Sequence, residues 1–103
     1  MPETIILSKT NWWNDIEKTD LPDDLVWILR AAIMCLLHHQ RPARATPHII
    51  ALAKKHLSGG ISLGTDEYDL MLYDPDSIKA DSRKFFVLVR KWPGCKLKYL
   101  SDC

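Results

Sequence analysis

The stretch GTDEYDLMLYDPD, residues 64–76, holds five acidic side chains and no basic one. Carboxylates at that density can hold magnesium, an oxygen-seeking cation that activates water against a phosphodiester. In an extended chain, alternation puts Glu67 and Asp69 on one strand face. A second constellation is Cys35, His38 and His39, three and four residues apart. On one helix a thiolate and an imidazole at that spacing could face a zinc ion, with His48, His56 or Cys95 as further ligands. A third is Cys95, which follows Pro93 and Gly94 and precedes Lys96, a cation that lowers a thiol pKa.

Each of these has a plainer account. The fragment YDPD, with Asp76 and with Lys84 downstream, resembles the proline–aspartate nuclease pattern. No acid-x-lysine triplet follows, however, because Lys84 stands three residues after Asp81. A zinc site lacks any paired CxxC or HxxxH spacing. Cys35 lies in the most apolar run and suits a core position, while His38 and His39 fall where a helix end favours cations. Nothing marks a base or an oxyanion site for Cys95. There is no GxSxG, Walker A or GxGxxG sequence. The expectation is a protein that is not an enzyme and uses neither cofactor nor metal, with a magnesium-dependent nuclease as a remote alternative.

The elements that must position these residues fit one domain, 1–103, since 103 residues suffice for a single core. An apolar fraction of 47% and a charged fraction of 26% speak for a folded globule and against disorder. The start, MPETIILSK, has no basic n-region or long apolar h-region, which argues against a secretory leader. The longest apolar run, LVWILRAAIMCLL, is interrupted by Arg30 and is shorter than the ~20 residues of a membrane span. Three cysteines without a CxxC pair suit a reducing, cytosolic setting. Cys103 at the terminus is expected to be exposed and to cross-link only on air oxidation.

The segment KTNWWNDIEK predicts a short helix capped by Thr10, with Trp12, Trp13 and Ile16 on one face. TDLPDDLVWILRAAIMCLLHHQR predicts a longer helix with Pro22 in its first turn. Asp20, Asp23 and Asp24 complement its dipole there, and apolar residues on nearly all sides make it the central post of the core. Trp12 or Trp13, and Trp27, are expected to be core residues. ATPHIIALAKKHLSGG predicts a third helix, capped by Thr46, opened by Pro47 and stopped by Gly59 and Gly60.

Alternation then replaces the helical period. EYDLMLYD predicts a strand with Tyr68, Leu70 and Leu72 on one side and Asp69, Met71 and Tyr73 on the other. DPDSIKADSR reads as a turn, and KFFVLVRKWPGCKLKYLS as a hairpin about Pro93–Gly94. The fold expected is α+β: three N-terminal helices packed on a small antiparallel sheet, in a winged-helix-like order. The second sheet face then needs cover, from TIILS folding back as a fourth strand, from a partner protein or from a second copy in a homodimer.

Charge is sorted along the chain. The net is −4 over residues 1–24, +5 over 25–63, −5 over 64–78 and +5 over 79–103. Pairing of these blocks across the fold would leave an ordinary solvated surface. A docking surface is the sharper reading. Asp66, Glu67, Asp69, Asp74 and Asp76, with Tyr68 and Tyr73 as anchors, would meet a partner protein of basic or mixed charge. The alternative is a winged-helix-like nucleic-acid-binding regulator using Lys54, Lys55, Arg90, Lys91, Lys96 and Lys98, with Trp92 and Tyr99 as stacking groups. The segment where a recognition helix would fall contains Asp66, Glu67 and Asp69 and no cation, so phosphates would be repelled. The expectation is therefore a cytosolic, non-membrane binding protein: an inhibitor, immunity factor or adaptor, of the kind phages and mobile elements carry.

Overall fold

The computed structural model describes residues 3–73 and 84–91. The chain is α+β, with elements β1 (Ile5–Leu7), α1 (Trp12–Glu17), α2 (Asp23–His38), β2 (Ala43–Arg44), α3 (Pro47–Leu57), β3 (Ile61–Leu63), β4 (Asp66–Tyr73) and β5 (Phe85–Arg90). Among the described residues the strands form one sheet in the order β1-β3-β4-β5-β2. β1 runs parallel to β3, and the other neighbouring pairs are antiparallel. The winged-helix-like order is thus corrected. A strand opens the chain, another separates α2 from α3, and the sheet is mixed.

Hydrogen bonding and side-chain pattern place TIILS. Ile5–Leu7 pairs with Ile61–Leu63 in register, extended by Ile5 N–H donating to the Gly60 carbonyl at 3.1 Å and Gly64 N–H donating to Leu7 at 2.9 Å. A strand added through its backbone lengthens a sheet at its edge and covers no face. The first strand therefore does not supply the cover the sequence called for. Its open edge is blunted at one end: Asp15 Oδ2 accepts from the Ser8 N–H at 2.8 Å and from the Ser8 hydroxyl at 2.9 Å.

The same network starts α1. Asn11 rather than Thr10 occupies the N-cap, without a side-chain cap bond of its own, and its N–H donates to Ser8 Oγ at 3.1 Å. Thr46 caps α3 as expected, accepting from the Ile49 N–H at 3.4 Å, with Pro47 at the first helical position. α2 ends on His39 in the left-handed conformation, φ 55°, with its N–H bonded to the Cys35 carbonyl.

Two glycines shape the entry to the sheet. Gly60 turns the chain out of α3 at φ 86°, where an added Cβ would stand 3.2 Å from the Tyr68 carbonyl. Gly64, at φ 66°, opens the two-residue β3–β4 turn, as a II′ hairpin requires.

The core lies between the helices and one sheet face. Leu7, Ile61, Leu63, Leu70, Phe86 and Leu88 from the sheet meet Ile16, Leu25, Leu29, Ala32, Ile33, Ala53 and Leu57 from the helices. The alternation expected of β4 is observed, with Tyr68, Leu70 and Leu72 packed on the core side beside Phe86 and Leu88 of β5. α2 lies across β5 and β2, and α1 and α3 pack beside it. It is not buried all round, for Trp27 is 61% exposed. No helix among the described residues is long and apolar enough to cross a membrane.

The Ser8–Asp15 contact holds the Asp15 carboxyl below its ordinary value of 3.8, first through the Ser8 backbone N–H and then through the Ser8 hydroxyl. A carboxylate whose pKa falls on folding contributes stability above its unfolded pKa and loses that contribution as pH drops through the folded value. The β1–α1 connection should therefore hold through the pH at which an ordinary aspartate protonates and loosen only below it. An NMR titration following the Asp15 carboxyl and the Ser8 amide checks this; a midpoint at or above 3.8 would contradict it.

Candidate functional site

The unusual chemistry of this molecule is an arginine inside the helix layer. Arg30 is 4% exposed and is the buried charged residue of the described chain. A guanidinium removed from water must recover counter-charge and acceptors, or its burial destabilises the fold by several kcal/mol. Arg30 Nη2 lies 2.8 Å from Glu17 Oε1 and donates to the Trp13 carbonyl at 3.0 Å. The guanidinium carbon sits 4.3 Å from the centre of the Trp13 ring and 5.1 Å from that of Trp27. Each contact with a ring face is worth about 0.5–2 kcal/mol. The Nε–H has no hydrogen-bond acceptor.

Local sequence explains the assembly. Asp23, Trp27 and Arg30 are spaced i, i+4, i+7 and so share one stripe of α2, beside the stripe of Leu25, Leu29, Ala32 and Ile33 that meets the core. α1 is anchored by Ile16, which has no exposed surface, and it turns Trp13 toward that stripe while Trp12 packs against the core. The Trp13 and Trp27 rings meet edge to face, centroids 6.2 Å apart at 80°, and Trp12 lies 5.5 Å from Trp13. Trp13 remains 42% and Trp27 61% exposed. The expectation of a core position is met in part by Trp12, one of the alternatives Trp12 or Trp13, and is corrected for Trp27. Arg30 is covered by the Trp13 ring and Glu17, while Asp23 and Trp27 of the same stripe stay exposed. Beside Trp27 opens a cleft of about 300 Å³, walled by Leu21 and Val26 and bordered by Glu17, Asp23 and Arg30.

The acidic strip is divided by strand alternation. Asp66 and Tyr68 stand on the helix side, where Asp66 Oδ1 accepts from Arg90 at 2.9 Å and its other oxygen lies 3.8 Å from Lys9 Nζ. Glu67, Asp69 and Tyr73 point to the opposite face, Glu67 and Tyr73 exposed and Asp69 half-buried, with buried Met71 between them. The strip is thus two surfaces, one of them neutralised locally.

Lys54 and Lys55 occupy the last turn of α3, Arg90 is paired with Asp66, and Lys91 donates its N–H to the Glu67 carbonyl at 2.9 Å. Asp74, Asp76, Trp92, Lys96, Lys98 and Tyr99, and with them Cys95, Cys103 and the Pro93–Gly94 hairpin, lie outside the described residues. Cys35 is a half-buried free thiol, and among the described residues no three His, Cys, Asp or Glu side chains converge on a metal position. The sequence signal that would have found the cluster is an arginine interrupting an apolar run, three residues after a tryptophan. Comparison of the chain with protein-family models, curated proteins and solved structures finds no match.

Arg30→Ala should lower unfolding stability by about 3 kcal/mol through lost packing and an unpaired Trp13 carbonyl. Arg30→Lys should recover less than half of that, because an ammonium lacks the planar, many-donor guanidinium that meets Glu17, the Trp13 carbonyl and the indole rings together. Glu17→Gln, which keeps an acceptor but removes the counter-charge of a buried guanidinium, should cost about 1–3 kcal/mol. Urea unfolding followed by circular dichroism measures all three, and an Arg30→Ala protein within about 0.5 kcal/mol of wild type would refute the assignment.

Proposed function

We propose that this chain is a non-enzymatic, cytosolic binding protein that acts by docking on a partner protein, as an inhibitor, immunity factor or adaptor does. The observation that carries the reading is the pair of exposed indoles, Trp13 and Trp27, fixed against a buried arginine. Tryptophan and arginine are the residue types that concentrate binding energy at protein interfaces. Covering the exposed parts of both rings would release on the order of 5 kcal/mol before the costs of association. Their orientation is set in advance by Arg30 and by each other, so less rotamer freedom is lost on docking.

The surrounding charge supports a partner of basic or mixed surface. Asp23 in the first turn of α2 and Glu17 at the end of α1 border the cleft beside Trp27. Such a rim repels phosphate backbones and steers basic protein surfaces into place. Glu67, Asp69 and Tyr73 give a second acidic patch on the sheet face turned from the helices, where the same partner or another copy of this chain could engage.

The test is an affinity pull-down from a lysate of the source organism, with and without nuclease, using wild type, Trp27→Ala and the Trp13→Ala/Trp27→Ala double variant. A protein captured despite nuclease by wild type and depleted about tenfold or more by Trp27→Ala, equivalent to about 1.4 kcal/mol, supports the reading. Recovery of nucleic acid alone, or equal capture by the folded variants, overturns it.

A further inference from the structure

We infer that a second copy of this chain pairs with β1 along its open edge, antiparallel and about a twofold axis centred on Ile6. The inference goes beyond the docking reading and uses a different part of the molecule.

β1 ends the sheet, with β3 on one side and no described strand on the other. Ile5 donates to the Gly60 carbonyl and Leu7 accepts from the Gly64 N–H, so both turn their main-chain groups toward β3. The N–H and C=O of Ile6, between them, therefore point to the open edge. Such unpaired groups are a template for another strand, and native proteins usually blunt them with charge, proline or a covering segment. At Ile6 the edge instead carries an isoleucine that is 77% exposed. A cleft of about 640 Å³ runs along Ile6, Leu7 and Ser8, and another of about 360 Å³ along Glu3 and Ile5. The edge is reachable over its length.

The strand's own sequence names the occupant. In an antiparallel pair, two opposed residues whose main-chain groups face each other exchange both hydrogen bonds. On a twofold axis that residue stands opposite itself. Ser8 cannot take the place, because its N–H donates to Asp15 Oδ2 at 2.8 Å. Centring on Thr4 would set Ile6 against Pro2, which has no N–H to give. Ile6 remains. With Ile6 on the axis, Ile5 meets Leu7 of the second copy, Thr4 meets its Ser8 and Glu3 meets its Lys9. Aliphatic faces aliphatic, hydroxyl faces hydroxyl and carboxylate faces ammonium. Opposite charges across a strand pair favour the register, and symmetry supplies the Glu3–Lys9 pair twice. Lys9 can reach across: its side chain is 61% exposed and stands 3.8 Å from Asp66, which Arg90 already engages at 2.9 Å. The strand is thus its own complement, which an arbitrary extended segment is not. Because Asp15 holds the Ser8 N–H, the contact stays short and the dimer reversible.

The experiment is sedimentation equilibrium of the full chain under reducing conditions, which exclude cysteine cross-links. Wild type should dimerise reversibly with a Kd below about 1 mM. Ile6→Lys, at an exposed position, should leave a folded monomer. Glu3→Lys and Lys9→Glu should each weaken self-association about fivefold or more, since like charges then face each other on both sides of the axis. An equimolar mixture of those two variants should dimerise about as tightly as wild type, because each presents the charges the other lacks. Circular dichroism checks that every variant keeps its fold. A wild type still monomeric at about 1 mM, a dimer indifferent to Ile6→Lys, or a mixture that associates no better than either variant alone would overturn the inference.

Discussion

A guanidinium buried under a helix layer constrains everything near it, because its charge and five donors must be answered in a fixed plane. In this chain the answer comes from three directions. A carboxylate from the end of α1, a carbonyl from its first turn, and two indole faces from α1 and α2 converge on Arg30. That convergence dictates how α1 crosses the start of α2. Two large rings lie against Arg30 and outside the core, Trp13 42% and Trp27 61% exposed. The core is completed without them, by Phe86 and the aliphatic residues of the sheet and helices.

The sorting of charge along the chain has a partly internal solution. Glu17 from the acidic first block meets Arg30 from the basic second. Asp66 from the acidic third block lies between Arg90 from the basic fourth and Lys9 from the first. Most of these side chains are well exposed, so such pairs fix orientation more than they stabilise. Arg30 is the exception through its burial. What the pairing leaves over is as informative as what it consumes: the start of α2 and the outer face of β4 keep carboxylates at the surface, beside exposed aromatic rings in both places.

Much of this fold could be read from residue order. Thr46 and Pro47 announced α3, and the alternation of Tyr68, Leu70 and Leu72 against Asp69, Met71 and Tyr73 announced β4 and its two faces, though not which of them meets the core. The short strands were harder. Ile61–Leu63 has too few residues for periodicity to separate strand from turn, and Ala43–Arg44 pairs with β5 through only two positions. Ile5–Leu7 was legible as a strand but not as an edge, because a parallel partner more than fifty residues away leaves no local mark. Trp27 was misjudged for a different reason. Hydrophobicity argues that an indole belongs inside, and only the three-residue offset from Trp27 to Arg30 signals that a cation would hold it at the surface. The acidic strip was seen as one feature because charge was counted along the chain, whereas a strand deals successive side chains to opposite faces.

The central claim is that Arg30 and the indoles stabilise each other as one unit. A double-mutant cycle on unfolding free energy, comparing Trp13→Ala, Arg30→Ala and the combined variant, measures that coupling directly. The account predicts an interaction of about 1 kcal/mol or more, with the double variant less destabilised than the sum of the singles. Additivity within about 0.3 kcal/mol would show that ring and guanidinium are neighbours without mutual support, and would contradict it.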